Sequence, residues 1–226
     1  RKQFIKTKSG EIINLVKIFV NKTKSKLILS NFVIPTYSPY EINEAREEFG
    51  LQDMVRTLNQ NIKIELGQDP KIYLHDLNSF ITKFGENNVF DYKQFFYGDV
   101  KISLDYIPYL AEEFMGYVKA VLGLNKKCIV LDLDNTLWGG VVGEDGFEGI
   151  KLGDDPIGRA YVEFQRHLLA LNQRGIILAI NSKNNFDDAI EIIRKHPNMI
   201  LKEDNFASFR INWNDKVVNM KEIAEE

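Results

Sequence analysis

The chain has 226 residues, of which 44% are apolar and 27% charged, a globular composition that excludes extensive disorder and allows one large domain or two small ones. With 29 Lys and Arg against 32 Asp and Glu, the net charge is −3, so no basic field supports a nucleic acid or an anionic membrane as partner. The single Cys excludes an internal disulfide, argues against a Cys-based zinc site and fits a reducing, cytoplasmic setting. There is no apolar run of about 18 residues to span a membrane and no signal peptide. The chain opens on Arg1 rather than Met and reads as a fragment.

In chain order, Ile12, Leu15, Val16 and Phe19 recur at helical spacing and predict an amphipathic helix over 11–20. Leu27 to Ile34 is an apolar run ended by Pro35, read as a buried strand. Residues 36–50 read as a surface excursion with a helical turn at Ile42–Phe49. Leu51, Val55, Leu58 and Ile62 predict a second helix, and Ile72-Tyr73-Leu74 a strand. Asp105 to Leu122 reads as a helix with Ile107, Leu110, Phe114, Tyr117, Val118 and Val121 on one face, stopped by Gly123. A domain boundary is placed at 123–127, giving domains 1–124 and 125–226. In the second domain, Cys128 to Leu133 has almost no alternation, as in the middle of a parallel sheet. A Gly-rich loop follows, from Gly139-Gly140 to Gly153. A helix over 161–172 ends near Gly175, and Ile176 to Ile180 is a second continuous strand. Asn185 is placed to cap a helix over 186–196. Met199-Ile200-Leu201 reads as a strand, and Lys216 to Glu226 as a helix with Val217, Met220, Ile223 and Ala224 on one face. Such alternation predicts an α/β fold, a parallel sheet with helices on both faces.

The chemistry concentrates in Leu131-Asp132-Leu133-Asp134-Asn135-Thr136-Leu137. Two carboxylates follow an apolar strand, at the end where open α/β sheets bind ligands. Two ionised carboxylates so close repel and lose hydration if buried. A bound cation relieves both costs. Mg²⁺ takes oxygen ligands, usually one or two carboxylates with water and substrate phosphate. The sequence therefore points to Mg²⁺ on Asp132 and Asp134, whose side chains share a face if the strand runs that far.

The Asp-x-Asp-x-Thr pattern resembles the first motif of the haloacid dehalogenase-like (HAD) phosphotransferases. Its extension through Trp138-Gly139-Gly140-Val141-Val142-Gly143 resembles the FkbH-like branch, HAD subfamily IIIC. Asn181-Ser182-Lys183-Asn184 and Asn212-Trp213-Asn214-Asp215-Lys216 are similar to the later motifs in order. The resemblance covers about residues 125–226 and implies a HAD-like Rossmannoid domain. It implies Asp132 as the nucleophile forming an aspartyl-phosphate and Asp134 as general acid/base. In such a family the Asp132 side chain and the Asp134 carbonyl hold Mg²⁺. Thr136 supports the loop and the phosphate site. Ser182, Lys183 and Asn184 bind phosphoryl oxygens near a helix start, and Lys216 neutralises phosphoryl and nucleophile charge. The family's fourth motif, an acidic pair after a further strand, has no counterpart before Glu226. The fragment is therefore expected to bind Mg²⁺ weakly and to lack activity by itself.

The first half resembles the C-terminal part of SGNH-type esterase domains, through its alternation, Asn31 after a strand, and the segment Asp99 to Leu104 before a helix. It carries no nucleophile block of that family, and Ile102 stands where the His would be. It is read as an incomplete SGNH/flavodoxin-like α/β domain, a binding module in front of the catalytic one.

Several residues have plainer readings. Trp138 and Trp213 suit core or loop packing. Cys128 reads as a small apolar residue of a buried strand. His75, His167 and His196 read as structural or exposed, and Lys17 to Lys26 as a solvated helix end. Asn181 and Asn184 either orient substrate or cap backbone. Gly139, Gly140 and Gly143 suit a flap with unusual dihedrals. The expected activity is Mg²⁺-dependent phosphohydrolysis or phosphotransfer. FkbH-like proteins add a phosphorylated three-carbon metabolite as small-molecule partner and an acyl carrier protein as acceptor. Acyl loading needs a thiol, for which Cys128 is poorly placed. Without a large cap between Thr136 and Ser182, an extended or macromolecular substrate is favoured. The alternative is a binding or scaffold module that keeps the fold without turnover.

Overall fold

Two stretches of parallel β-structure organise the chain, each within its own unit. The computed structural model describes residues 1–226 and divides into Arg1–Leu124 and Asn125–Glu226.

In the first unit, α1 (Lys2–Thr23) and α2 (Leu51–Leu66) bury facing stripes. Ile5, Ile13, Val16 and Val20 pack with Leu58, Ile62 and Leu66. The buried stripe of α1 also contains Ser9 and repeats at helical spacing over the whole helix. It is rotated from the predicted face: Leu15 is 67% and Phe19 44% exposed. Both faces of residues 11–20 are apolar, so only the full-length stripe decides which one turns inward. β1 (Leu27–Ser30) pairs in parallel with β2 (Ile72–His75), from Leu27↔Ile72 to Ser30↔His75. β1 is shorter than its apolar run. Beyond it, Phe32 N–H donates to Asn59 Oδ1 and Ile34 N–H to Asn78 Oδ1, each at 2.8 Å. Side-chain amides take the donors a longer ladder would have used. A 3-10 helix at Glu41–Arg46 occupies the polar excursion.

Three helices lie where none was predicted: α3 (Leu77–Phe84), α4 (Glu86–Val89) and α5 (Tyr92–Gly98). Asp76 and Asp91 cap α3 and α5 by accepting from Asn78 N–H and Gln94 N–H, a signal the sequence did carry. α6 (Ile107–Val121) follows a 3-10 turn at Leu104–Tyr106. None of its residues is fully buried, although Leu110 packs against the Phe80, Ile81, Val89 and Phe90 cluster, as does Ile102. Gly123, at φ 71°, ends α6. Its N–H donates to Ala120 O, and Leu124 N–H donates to Lys119 O, the paired bonds of a left-handed helix stop.

The second unit runs β3 (Cys128–Leu131), α7 (Val142–Gly149), α8 (Pro156–Gln173), β4 (Ile177–Ser182), α9 (Phe186–Lys195), β5 (Phe206–Ile211) and α10 (Lys216–Glu225). The sheet order is β3-β4-β5, all parallel. The α/β fold with parallel sheets is as predicted. The central strand is β4, buried from its second residue onward. β3 is instead an edge of this sheet and ends at Leu131, and Cys128 is exposed. The core joins strand residues to Val162 and Leu168 of α8 and to Ile190, Ile192 and Ile193 of α9. α7 lies inside the Gly-rich loop, broken at Gly146 (φ 68°).

Met199-Ile200-Leu201 is not a strand. Met199 and Leu201 are buried, but the N–H groups of Ile200 and Leu201 donate to Gln165 Oε1 (2.9 and 3.1 Å). A side chain thus satisfies backbone that a ladder would otherwise have to serve. The strand is β5, where Phe206, Ser208 and Ile211 face inward. α10 shows the reverse of its predicted face. Val217 and Met220 are exposed, and the buried residue is Asn219.

Gln165, fully buried, also donates to Leu137 O at 2.7 Å. Its replacement by Leu orphans three backbone groups. At about 1–3 kcal/mol for each buried orphan, Gln165→Leu is expected to lower unfolding stability by at least about 3 kcal/mol, read as a reduced urea midpoint at unchanged slope. A loss within error shows that water takes over the amide's role.

Candidate active site

The parallel register sets the carboxyl ends of three strands along one edge. Leu131 pairs with Ile180, and Ser182 with Ile211, so Asp132, Ser182 and the Asn212–Lys216 segment emerge together. Lys216 Nζ lies 2.5 Å from Asp132 Oδ2, across 84 residues of chain. Asp132 Oδ1 accepts from Leu133 N–H at 2.9 Å. The side chains of Lys216 and Asp132 are 43% and 39% exposed. A pair so open to water adds about 0–1 kcal/mol to stability; its larger effect is on the charge state of Asp132. Burial pushes that carboxyl up, but the Lys216 ammonium, the Ser182 hydroxyl and the Leu133 N–H outweigh it. The net result holds Asp132 below the usual carboxylate range.

The strand alternation that would put Asp132 and Asp134 on one face does not extend to them. β3 ends at Leu131, and the chain turns, with Thr136 and Leu137 N–H groups both donating to Leu133 O. Asn135 takes a left-handed φ of 56°, which Asn tolerates, and accepts from Gly140 N–H. Asp134 accepts three hydrogen bonds: Trp138 Nε1 at 2.9 Å and Val142 N–H at 3.2 Å on Oδ1, and Asn184 Nδ2 at 2.9 Å on Oδ2. Trp138, fully buried, is therefore core packing and a donor to the site at once. The glycines of this turn are required. A Cβ on Gly139 would meet Tyr161 at 2.8 Å, and Gly140 sits at φ 94° with Asp145 Oδ2 2.5 Å from where its Cβ would be.

The other predicted residues divide. Ser182 is buried beside Asp132. Thr136 closes the turn through its main chain. Lys183 is exposed and forms no ion pair. Asn184 is buried and spends its amide on Asp134 and on Asn185 N–H. Asn185 begins α9 but makes no side-chain cap; it accepts from the indole of Trp213, which is 70% exposed. Asn181 donates to Lys216 O at 2.9 Å and accepts from Asn219 Nδ2 at 3.2 Å. Asn219 also donates to Asn212 Oδ1. This buried amide cluster fixes the start of α10, whose cap is Asp215, and so fixes Lys216. Asn219 was missed because a lone Asn among Val217, Met220 and Ile223 looks like a helix surface residue; only its burial shows its role.

The oxygen donors at the end of β3 suit Mg²⁺, which takes few protein ligands and keeps water. The Asp132 carboxylate is accessible. Both Asp134 side-chain oxygens already accept protein donors, so that residue would contribute its main-chain carbonyl. No group of three or more His, Cys, Asp or Glu side chains gathers anywhere, so water or phosphate oxygens would complete the shell.

The Asp132 shift sets a pH dependence. Stability from a depressed carboxyl is present above the ordinary carboxylate pKa and is lost as pH falls through the depressed value. In Lys216→Met the burial cost remains while the largest favourable contact is gone. Asp132 is then expected to titrate at higher pH, followed by carboxyl ¹³C chemical shift. An unmoved titration would show that Lys216 is not the group holding it ionised.

A family model described as FkbH, N-terminal domain, matches residues 6–119. Comparison with curated proteins gave no match. The structure is similar to a crystal structure described as the N-terminal part of the protein BF1531 from Bacteroides fragilis, containing a phosphatase domain complexed with Mg. The TM-score is 0.87 at 30% sequence identity. All of this chain is covered, but it spans 60% of the length of that one. The alternation of strand and helix, the parallel sheets and the matched first unit together place the chain in the FkbH N-terminal domain family.

Proposed function

We propose that the second unit is a Mg²⁺-dependent phosphohydrolase or phosphotransferase of the HAD type, working through an aspartyl-phosphate on Asp132. The observation that carries this is the Asp132 carboxylate at a strand end, with Lys216 Nζ at 2.5 Å and buried Ser182 beside it. Likeness to a phosphatase domain complexed with Mg supports it. An Asp132 oxygen attacks phosphorus, and the bond from phosphorus to the ester oxygen breaks. That oxygen takes its proton from Asp134. Asp134 then removes a proton from water, which attacks the aspartyl-phosphate, releases inorganic phosphate and restores Asp132. To reach the leaving group, Asp134 exchanges one of its three protein donors for substrate. Lys216 and Ser182 neutralise and orient the phosphoryl oxygens, the main requirement of phosphoryl transfer. When bound at Asp132 and the Asp134 carbonyl, Mg²⁺ would supply further charge neutralisation.

The finer reading follows the FkbH likeness. The substrate is a phosphorylated three-carbon metabolite, and the acceptor of its acyl group is an acyl carrier protein. The first unit is a partial SGNH-like domain beside this chemistry in the chain.

Full-length protein containing this chain is expected to release phosphate from p-nitrophenyl phosphate with Mg²⁺ and not with EDTA. Asp132→Asn is expected to lower the rate at least about 1,000-fold, as loss of a covalent nucleophile does. Equal turnover by the Asn variant removes Asp132 as nucleophile. No turnover together with no Mg²⁺ binding favours a scaffold that keeps the fold without catalysis.

A further inference from the structure

The first unit has its own parallel strands and its own carboxyl edge. β1 ends on Ser30 and β2 on His75, which are register partners. Ser30 Oγ lies 3.1 Å from His75 Nδ1, and His75 Nε2 lies 3.2 Å from Glu113 Oε2 on α6. The polarity of this chain of contacts is fixed by chemistry. A carboxylate only accepts, so Nε2 carries the ring hydrogen and donates to Glu113. In a neutral imidazole Nδ1 is then the acceptor, and the Ser30 hydroxyl donates to it. That is the order a general base needs to take a proton from a serine.

The ring is also held in place. His75 is 2% exposed, with the Phe114 ring 4.7 Å and the Tyr117 ring 5.8 Å from it between centroids. Tyr117 is itself tied to Leu74 O at 3.1 Å. Ser30 and His75 line a cavity of about 500 Å³ with Ile34, Leu74, Asn59 and Arg56 among its walls. Its apolar walls suit a short acyl chain. Of its polar walls, Asn59 Nδ2 donates one hydrogen to Phe32 O, and the Arg56 guanidinium donates to Asp53 and Gln52.

We propose that Ser30, His75 and Glu113 form a second site, an acyl-ester hydrolase centre in which Ser30 is the nucleophile, His75 the base and Glu113 the group that positions His75. Ser30 Oγ bonds to the acyl carbon as its proton passes to His75 Nδ1. The bond from the acyl carbon to the alcohol oxygen breaks, and the alcohol leaves with that proton. Water, deprotonated by His75, then cleaves the acyl-serine and releases the carboxylic acid. The centre shares no residue with Asp132 chemistry and stands or falls separately from it.

A fluorophosphonate probe on the folded protein, followed by peptide mass spectrometry, tests this. The adduct is expected on Ser30 and absent in Ser30→Ala, which also loses p-nitrophenyl acetate hydrolysis. His75→Gln is expected to slow labelling about 100-fold or more, the range for loss of a general base. Glu113→Gln slows it less, and Glu113→Asp restores part of the rate, which a purely structural Glu113 would not produce. Comparison of wild-type protein with and without urea removes any dependence on the variants folding. A Ser30 that stays unmodified in the folded wild type, or reacts as fast in urea, overturns the proposal.

Discussion

The parallel pairing of β4 with β3 and β5 is the constraint on which the second unit depends. Ladder bonds align strand ends, and alignment puts Asp132, Ser182 and the run to Lys216 on one edge. Side chains alternate with period two, so a slip of one residue would turn buried Ser182 to the opposite face. The pairs Leu131↔Ile180 and Ser182↔Ile211 define the register that avoids it. No local preference at Asp132 or Lys216 could bring groups 84 residues apart to 2.5 Å. The register does so.

Buried amides supply the precision that the ladder does not. Gln165 serves three backbone groups, Asn184 holds Asp134, and Asn181 with Asn219 and Asn212 fixes the start of α10. In the first unit the half-buried Asn59 and Asn78 serve the backbone after β1 in the same way, at a smaller cost if lost. Orphaning a fully buried group costs about 1–3 kcal/mol, whereas a half-exposed ion pair adds about 1 kcal/mol at most. The amides, not the Lys216–Asp132 pair, therefore carry the geometry. This leaves Lys216 free to act on charge.

Both units use one rule. Parallel strands deliver their last residues to a common edge, and that edge is where α/β proteins bind ligands. Asp132 and Ser182 lie there in the second unit, Ser30 and His75 in the first. The side chains at the two edges differ, and so does the chemistry each would suit. Two carboxylates with a lysine suit phosphoryl groups, while a hydroxyl against an imidazole suits acyl groups.

The apolar runs at Ile72 and Ile177, the helical stripe of α2, the later part of α8 and the stop at Gly123 are local signals, and all were legible in the sequence. The motif set of Asp132, Asp134, Ser182 and Lys216 was readable only as a resemblance, through motifs standing in family order along the chain; that Lys216 reaches Asp132 is a tertiary contact. Met199 to Leu201 misled because burial of an apolar run does not say whether a neighbouring strand or a glutamine satisfies its backbone. Leu15, Phe19, Val217 and Met220 misled because a helix with two apolar faces is oriented only by what packs on it. Cys128 looked buried until the sheet order put β3 at an edge. Apolar patterning thus determined the fold class and the paired acids Asp132 and Asp134, while Ser182 and Lys216 entered as candidates only through the family resemblance. Tertiary structure alone decided that Asp134 turns to Trp138 and Asn184, that Asn219 anchors Lys216, and that Ser30, His75 and Glu113 meet, because each is a contact between segments that no local preference encodes.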